Sequence, residues 1–458
     1  MNDDDPSRSG QDFRDRRVAL GSLLKTGAVG LGGILAFPAA SATGGATKAD
    51  FESDRVLNAK SLGAKGDGVT DDTGTIAACI SACGRAGGGT VYFPPGRYVI
   101  TATLPINDSH VCIQGSGWGN TVFVPRMPAG DVFVFGDKSH APARNKMADF
   151  SIRPPSPMAS GALIHVQNGN GLILSDFEID GGFVGLSIDD LSLQSGVHVR
   201  DFIIVNTRNA AVLIGQDSPP PYQPNEIFLT NGTISQCRIG LALVYVDGLY
   251  ASAVSIYKSA HAGVCFGPTE KTVVSGSFFV NCITDSTVSG DGWYFHGRGV
   301  VSNIAMDNCF TSFNHGNGLS IQPGTRVNGL QIRGGIYQGC DHSGIIVNST
   351  DAKNILIQGA QVGFNGKAAG NQYSGIYLAP GVGDFTIDGC TIGAVGTFVC
   401  VAENAQAWGI VVAEGSSDRY IISNNRAVGN LAGGVRDGGT GKNKTVSGNI
   451  TSAPAKAN

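Results

Sequence analysis

Four of the chain's eight histidines, His261, His296, His315 and His342, fall between residues 261 and 342, under a fifth of its 458 residues. Asp291, Asp341, Tyr294, Arg298 and Gln322 share that stretch, and Asn348 follows it closely. Two chemistries use such residues. A pair of carboxyls, one donating a proton and one activating water, hydrolyses a glycosidic bond, and inverting enzymes hold the two about 6.5–9.5 Å apart. Alternatively, Tyr294 or His296 abstracts the proton α to a uronate carboxylate while Arg298 neutralises that carboxylate, which begins an elimination. The candidate catalytic residues are therefore Asp291, His315, Asp341, His296 and Tyr294. The candidate substrate-binding residues are His261, Arg298, Gln322, His342 and Asn348. Each has a plainer reading beside it, because His and Asn at chain corners often only hydrogen-bond the turn. Asp189, Asp190 and Asp217 face another stretch of groove, where solvation alone accounts for them.

These side chains are positioned by a repeat. Gly followed by alternating apolar residues recurs at Gly185, Gly240, Gly263, Gly292, Gly318, Gly344, Gly375, Gly409 and Gly434, with Ala211 in the same place once. Successive starts lie 23 to 34 residues apart, and a β-branched run precedes most of them. A repeat of that length signals a solenoid, in which each unit buries its apolar face only against its neighbours. Each unit holds two or three short strands and no helical pattern, which excludes leucine-rich, ankyrin and tetratricopeptide arrays. A β-propeller blade needs four strands in about 40–45 residues. An all-β, single-stranded parallel β-solenoid of about ten or more coils remains. Glycine, 67 residues or roughly twice its usual share, then serves as the corner residue.

Alternation sets the facing of each side chain. The first and third positions after each repeat glycine are apolar and point inward, as Trp293 and Phe295 do. The second and fourth, Tyr294 and His296, Ser320 and Gln322, Ile346 and Asn348, point outward. Coils stack at about 4.8 Å, so Asp291 and Asp341, two coils apart, are separated axially by ~9.6 Å, with His315 on the coil between.

Residues 62–98 carry a second signal. Leu62-Gly-Ala-Lys-Gly-Asp-Gly-Val-Thr-Asp-Asp-Thr73 leads into a helical stretch, Thr73 to Arg85, which stops at Gly87-Gly88-Gly89 before Thr90-Val91-Tyr92-Phe93-Pro94-Pro95-Gly96. Thr70 to Asp72 supplies an N-cap with acids at the positive end of the helix dipole. The motif resembles the opening of the pectate lyase superfamily domain shared by rhamnogalacturonases, epimerase-like lyases and phage tailspikes. The resemblance implies a right-handed parallel β-helix over residues 56–450, with the helix plugging its N-terminal end. It also places Asp67, Asp71 and Asp72 in loop and cap roles rather than in a calcium or catalytic cluster. A second likeness, to polygalacturonases, rests on Gly290-Asp291-Gly292 and His315-Gly316-Asn317-Gly318-Leu319-Ser320-Ile321. It implies an acid at Asp291 partnered by His315. Gly292 replaces that family's second Asp, and Ile346-Val347-Asn348 replaces its Arg-Ile-Lys clamp, which argues against polygalacturonate hydrolysis itself.

The rest of the chain supplies an address. Arg16-Arg17, a weakly apolar stretch from Val18 to Phe37 and Ala40-Ser41-Ala42 resemble a twin-arginine export signal. The expected organisation is a signal at 1–42, a linker at 43–55, an N-terminal cap and first coils at 56–125, the β-helix at 126–450 and a tail at 451–458. The expected location is periplasmic or secreted, with no membrane association after signal cleavage. A net charge of −4 gives no basic excess to hold nucleic acid. The ten cysteines belong to no CxxC pair, and several recur at like repeat positions, as stacked core residues would. No cofactor is indicated. The leading expectation is an exported polysaccharide-active enzyme, a glycoside hydrolase or uronate lyase, that binds polysaccharide or oligosaccharide. The alternative is a non-catalytic carbohydrate-binding or envelope scaffold. Tailspike-like adhesion conflicts with the export signal.

Overall fold

A computed structural model describes residues 56–189, 196–216, 223–394 and 404–452. The expected signal and linker, and Asp190 and Asp217, lie outside them. The described chain winds into a parallel β-solenoid of about thirteen turns. One sheet has thirteen strands, running from Leu104–Ile106 through Ala162–Val166, Val184–Ile188, Ala210–Ile214, Ile239–Leu243, Ala262–Phe266, Asp291–Phe295, Leu319–Ile321 and Ile345–Val347 to Gly433–Gly439. Each strand pairs in parallel with the next coil's. A second sheet forms the remaining walls. Its longer strands, such as Val246–Tyr257, bend at residues in the left-handed region.

Those bends stack. Gly248, Gly276, Asn303, Gly329, Asn354, Asp384 and Arg419 form one column, with φ between 53° and 85°. Asp176, Asp201, Asn231, Ala253, Asn281, Asn308 and Gly334 begin another, with φ between 52° and 63°. Asn, Asp and Gly dominate because they reach this conformation at least cost.

The repeat glycines work differently from the expected corner role. Gly263, Gly292, Gly318 and Gly344 stand where the chain enters the thirteen-stranded sheet, and their φ is outside the left-handed region. What they need is space. A Cβ on Gly263 would lie 2.7 Å from the Gly292 carbonyl oxygen, and one on Gly318 would lie 2.5 Å from that of Gly344.

The interior is one apolar column. Phe150, Phe177 and Phe202 stack at centroid spacings of 5.4 and 5.8 Å, and Phe266 stacks on Phe295 at 4.1 Å. Trp293 is fully buried, as its inward position requires. Burying each such side chain contributes about 1.5–3 kcal/mol.

Cys79, Cys112, Cys237, Cys265, Cys282, Cys309, Cys340 and Cys390 form no disulfide. Cys237, Cys282, Cys309, Cys340 and Cys390 each follow a left-handed corner residue and turn into the core.

The helix spans Thr73–Arg85 and buries Ile76, Cys79, Ile80 and Cys83 against the first coils. Its capping departs from expectation. Asp72 holds the N-cap position but makes no side-chain cap. Its carboxylate instead accepts from the backbone N–H groups of Lys65 (2.6 Å) and Gly66 (3.0 Å), which closes the preceding loop. Asp71 accepts from Thr73 N–H at 3.0 Å, and Asp67 from those of Val69 and Thr70 at 2.8 Å each. Turn chemistry therefore occupies all three acids.

Candidate active-site trough

The outward row of the thirteen-stranded sheet reads, coil by coil, His165, Ser187, Leu213, Ala242, Cys265, Tyr294, Ser320 and Ile346. Small or aliphatic side chains in its middle leave a trough between taller polar groups. The cleft measures about 560 Å³, and its lining includes His165, Asp189, Gln216 and Asn209 toward one end and Cys265 and His296 toward the other.

At the C-terminal end, His261, Tyr294 and His296 come together. Tyr294 stacks on His296 at a centroid distance of 4.8 Å and meets His261 edge-on at 5.4 Å. Burial and the neighbouring His261 hold the His296 imidazole below the usual histidine range. Burial, together with the Asp291 charge, pushes the Tyr294 phenol up. Cys265 Sγ lies 3.1 Å from His296 Nε2, and burial drives that thiol up to about 12, so it stays protonated. The pair is thus a neutral imidazole beside a protonated phenol.

Asp291 begins the strand that carries Tyr294 and ends just before His296, and it is 7% exposed. One of its oxygens accepts from Asn317 N–H (2.5 Å) and Asn317 Nδ2 (3.0 Å), and the other accepts from the Ser320 hydroxyl (2.5 Å). Asn317 in turn accepts from Ser343 N–H at 3.1 Å, so three coils are tied through this carboxylate. Gln322 donates to the Ser320 hydroxyl at 3.2 Å.

His315 and Asp341 meet on the rim. Nδ1 lies 2.8 Å from the carboxylate, whose other oxygen is 3.3 Å from Lys367 Nζ. His315 is 62% exposed. Its turn is fixed by buried Asn314, which accepts from Thr287 N–H at 3.1 Å and donates to Thr311 Oγ1 at 2.9 Å. His342 leaves this group and stacks on Tyr373 at 4.5 Å. Asn348 occupies the half-buried outward position next after Gln322. Arg298, 83% exposed, pairs with Glu270 at 3.2 Å and shares with His296 a side cleft of about 470 Å³. Eight of the ten candidates therefore form three neighbouring groups, while His342 and Arg298 stand apart from them.

At the N-terminal end stands a cluster of which sequence reasoning picked out only Asp189, and that one is buried rather than solvated. His165 Nδ1–H donates to Asp131 at 2.8 Å, and Nε2–H donates to Asp189 at 2.5 Å. Burial opposes the imidazolium, but the two carboxylates outweigh it and raise His165 to about 9. Burial alone would raise the Asp131 carboxyl; the bond from His165 instead holds it below the usual carboxylate range. Gln216 also donates to Asp189. On the rim between the two ends, Arg238 donates to Asn209 at 3.3 Å. Among the described residues no group of three or more His, Cys, Asp or Glu is arranged to hold a metal, and no helix is long and apolar enough to cross a membrane.

Fold and trough together define a parallel β-solenoid with a lateral trough. The comparisons with known proteins agree. Residues 56–264 match the family model described as rhamnogalacturonase A/epimerase, pectate lyase-like, which bears out the resemblance carried by residues 62–98. The A-module of mannuronan C-5 epimerase AlgE6 from Azotobacter vinelandii superposes with a TM-score of 0.57 at 19% identity, over 87% of this chain and all of that one. A tailspike double mutant of E. coli bacteriophage HK620, in complex with a pentasaccharide, gives 0.57 at 11% identity, over 87% and 81%. These likenesses show the fold. In sequence, alginate lyase 7 of Azotobacter vinelandii is 49% identical over 71 residues, 14% of this chain. The chain spans only 8% of that relative's length.

Proposed function

We propose that this chain is a polysaccharide-active enzyme that binds its substrate along the trough and abstracts the proton α to a uronate carboxylate, as a lyase. The observation that carries this reading is the stacked Tyr294–His296 pair, whose surroundings drive their protonation apart. Such divergence marks acid and base roles. His296, neutral near pH 7, is the base. In the tautomer with Nε2–H toward Cys265, Nδ1 keeps the lone pair that accepts the proton. Tyr294, held protonated, supplies a proton to the leaving glycosidic oxygen. Rim cations are available for the substrate carboxylate: Arg238 beside Asn209, and Arg298 beside His296.

Hydrolysis is the weaker reading because both oxygens of Asp291 are engaged and Asp341 is held by His315 and Lys367. The named relatives lend support: alginate lyase 7 and mannuronan epimerases act on uronate polymers, and the tailspike holds an oligosaccharide. Arg16-Arg17 and Ala40-Ser41-Ala42 support work outside the cytoplasm, which cell fractionation would test.

The test is purified protein against uronate-containing and neutral polysaccharides. Ultraviolet absorbance of an unsaturated uronate is the expected product signal, lost in His296→Gln. New reducing ends without that absorbance would identify a hydrolase. Glycan retention without any product would identify a binding protein.

A further inference from the structure

The geometry points to a second subsite at the N-terminal end of the trough, where His165, Asp189 and Gln216 bind an uncharged, hydroxyl-rich sugar. Asp189 is 2% exposed and lines the cleft. Its Oδ2 accepts from His165 and Gln216, while its Oδ1 is buried and has no hydrogen-bond partner among the described residues. A buried carboxylate oxygen left without a donor is costly, so native proteins rarely keep one. Here the missing donor has an obvious route of supply, because the same side chain forms the trough wall.

Charge decides what the ligand is. One imidazolium between two carboxylates leaves the cluster with a net negative charge, which repels a uronate carboxylate and accepts hydroxyl protons. Gln216 and Ser187 add neutral hydrogen-bonding groups, and Leu213 and Ala242 give an apolar floor for a sugar ring. Five strand steps separate His165 from Tyr294 along the outward row, or ~24 Å at about 4.8 Å each. One oligosaccharide can therefore reach both ends. If the Tyr294–His296 end takes a uronate, as proposed above, the substrate is a mixed polymer that carries a neutral sugar some rings away.

Binding, rather than turnover, tests this. Calorimetry of the full chain against neutral oligosaccharides, oligouronates and mixed oligosaccharides should show neutral or mixed chains bound more tightly than oligouronates. Asp189→Asn should weaken that binding by tenfold or more. Leu213→Trp, which fills the half-exposed floor without touching the buried cluster, should do the same and covers the case in which Asp189→Asn unfolds. Oligouronates bound best, no neutral or mixed chain bound, or unchanged affinity in folded Asp189→Asn or Leu213→Trp would overturn the proposal. So would calcium chloride raising the melting temperature in wild type but not in Asp189→Asn, since a cation would then be the occupant. Elimination of a pure polyuronate without neutral-sugar binding would sink the subsite and leave the lyase reading standing. Neutral-sugar binding without elimination would do the reverse.

Discussion

His165 and His296 stand at opposite ends of one trough on one sheet, both largely covered, and their surroundings drive them in opposite directions. His296 has a protonated thiol, a phenol and another imidazole around it, so burial prevails and the ring stays neutral. His165 lies between two carboxylates, and the ring stays charged despite burial. Burial alone therefore does not set a histidine's state; the charge of its partners decides whether burial prevails. The consequence is a division of labour. The neutral end can accept a proton, whereas the charged end is already saturated with one and is suited to holding structure and ligand.

The sharpest way to break this contrast is kinetic. His296→Gln and Tyr294→Phe should each lower the rate of unsaturated product formation by roughly 10²–10⁴-fold, the usual range for a positioned acid or base. Wild-type rates in both variants would remove the chemistry from that end. The next largest effect concerns stability. His165→Gln leaves buried carboxylates without their cation and should cost about 3–5 kcal/mol in denaturant unfolding. His296→Gln loses a weak thiol contact and the stacking on Tyr294 and should cost about 1 kcal/mol. Equal losses would mean that the two histidines are equivalent after all.

The C-terminal end was legible in the sequence because its residues crowd together in it. Asp291 and Tyr294 share one strand, His296 directly follows it, and His261 and His315 lie on the adjacent coils. The helix at 73–85 and the inward rows were equally plain, since each depends on local periodicity. The His165 cluster was not, for a physical reason. Asp131 and Asp189 are 34 and 24 residues from His165, so only strand register joins them. That coil also lacks the repeat glycine: strand pairing puts Leu163 where the next coil has Gly185. Ala162-Leu163-Ile164-His165 therefore escapes the repeated phrase, although His165 occupies the same outward row as Tyr294. The glycine phrase itself was visible, but its cause was not, because a carbonyl 2.5 to 2.9 Å from a would-be Cβ belongs to another coil.

A pH series sharpens the comparison next, since the two histidines should bend stability at opposite ends. His165 rises from 6.5 to about 9 on folding. Its contribution is fully present below pH 6.5 and is lost as pH climbs through about 9, to a total of ~3 kcal/mol by linkage. Wild type should lose stability over that alkaline window, and His165→Gln should lack the loss. His296 shifts downward on folding. Its contribution is present above 6.5 and fades as pH falls from 6.5 toward the lower folded value, giving a smaller acid limb that His296→Gln removes. Limbs that fail to separate between the two variants would mean that the opposed protonation states are not real.

The smallest expected change separates position from stability at the neutral end. Arg298 is close to His296 in sequence, but its guanidinium reaches outward to Glu270, and both partners are largely exposed. Exposed pairs of this kind contribute little, so Arg298→Ala should move unfolding free energy by no more than about 0.5 kcal/mol. If Arg298 swings from Glu270 to a substrate carboxylate, the same variant should raise KM for an anionic glycan with kcat nearly unchanged, and added salt should mimic it in wild type. An unaltered KM would leave Arg238, on the opposite rim beside Asn209, as the cation that faces the substrate.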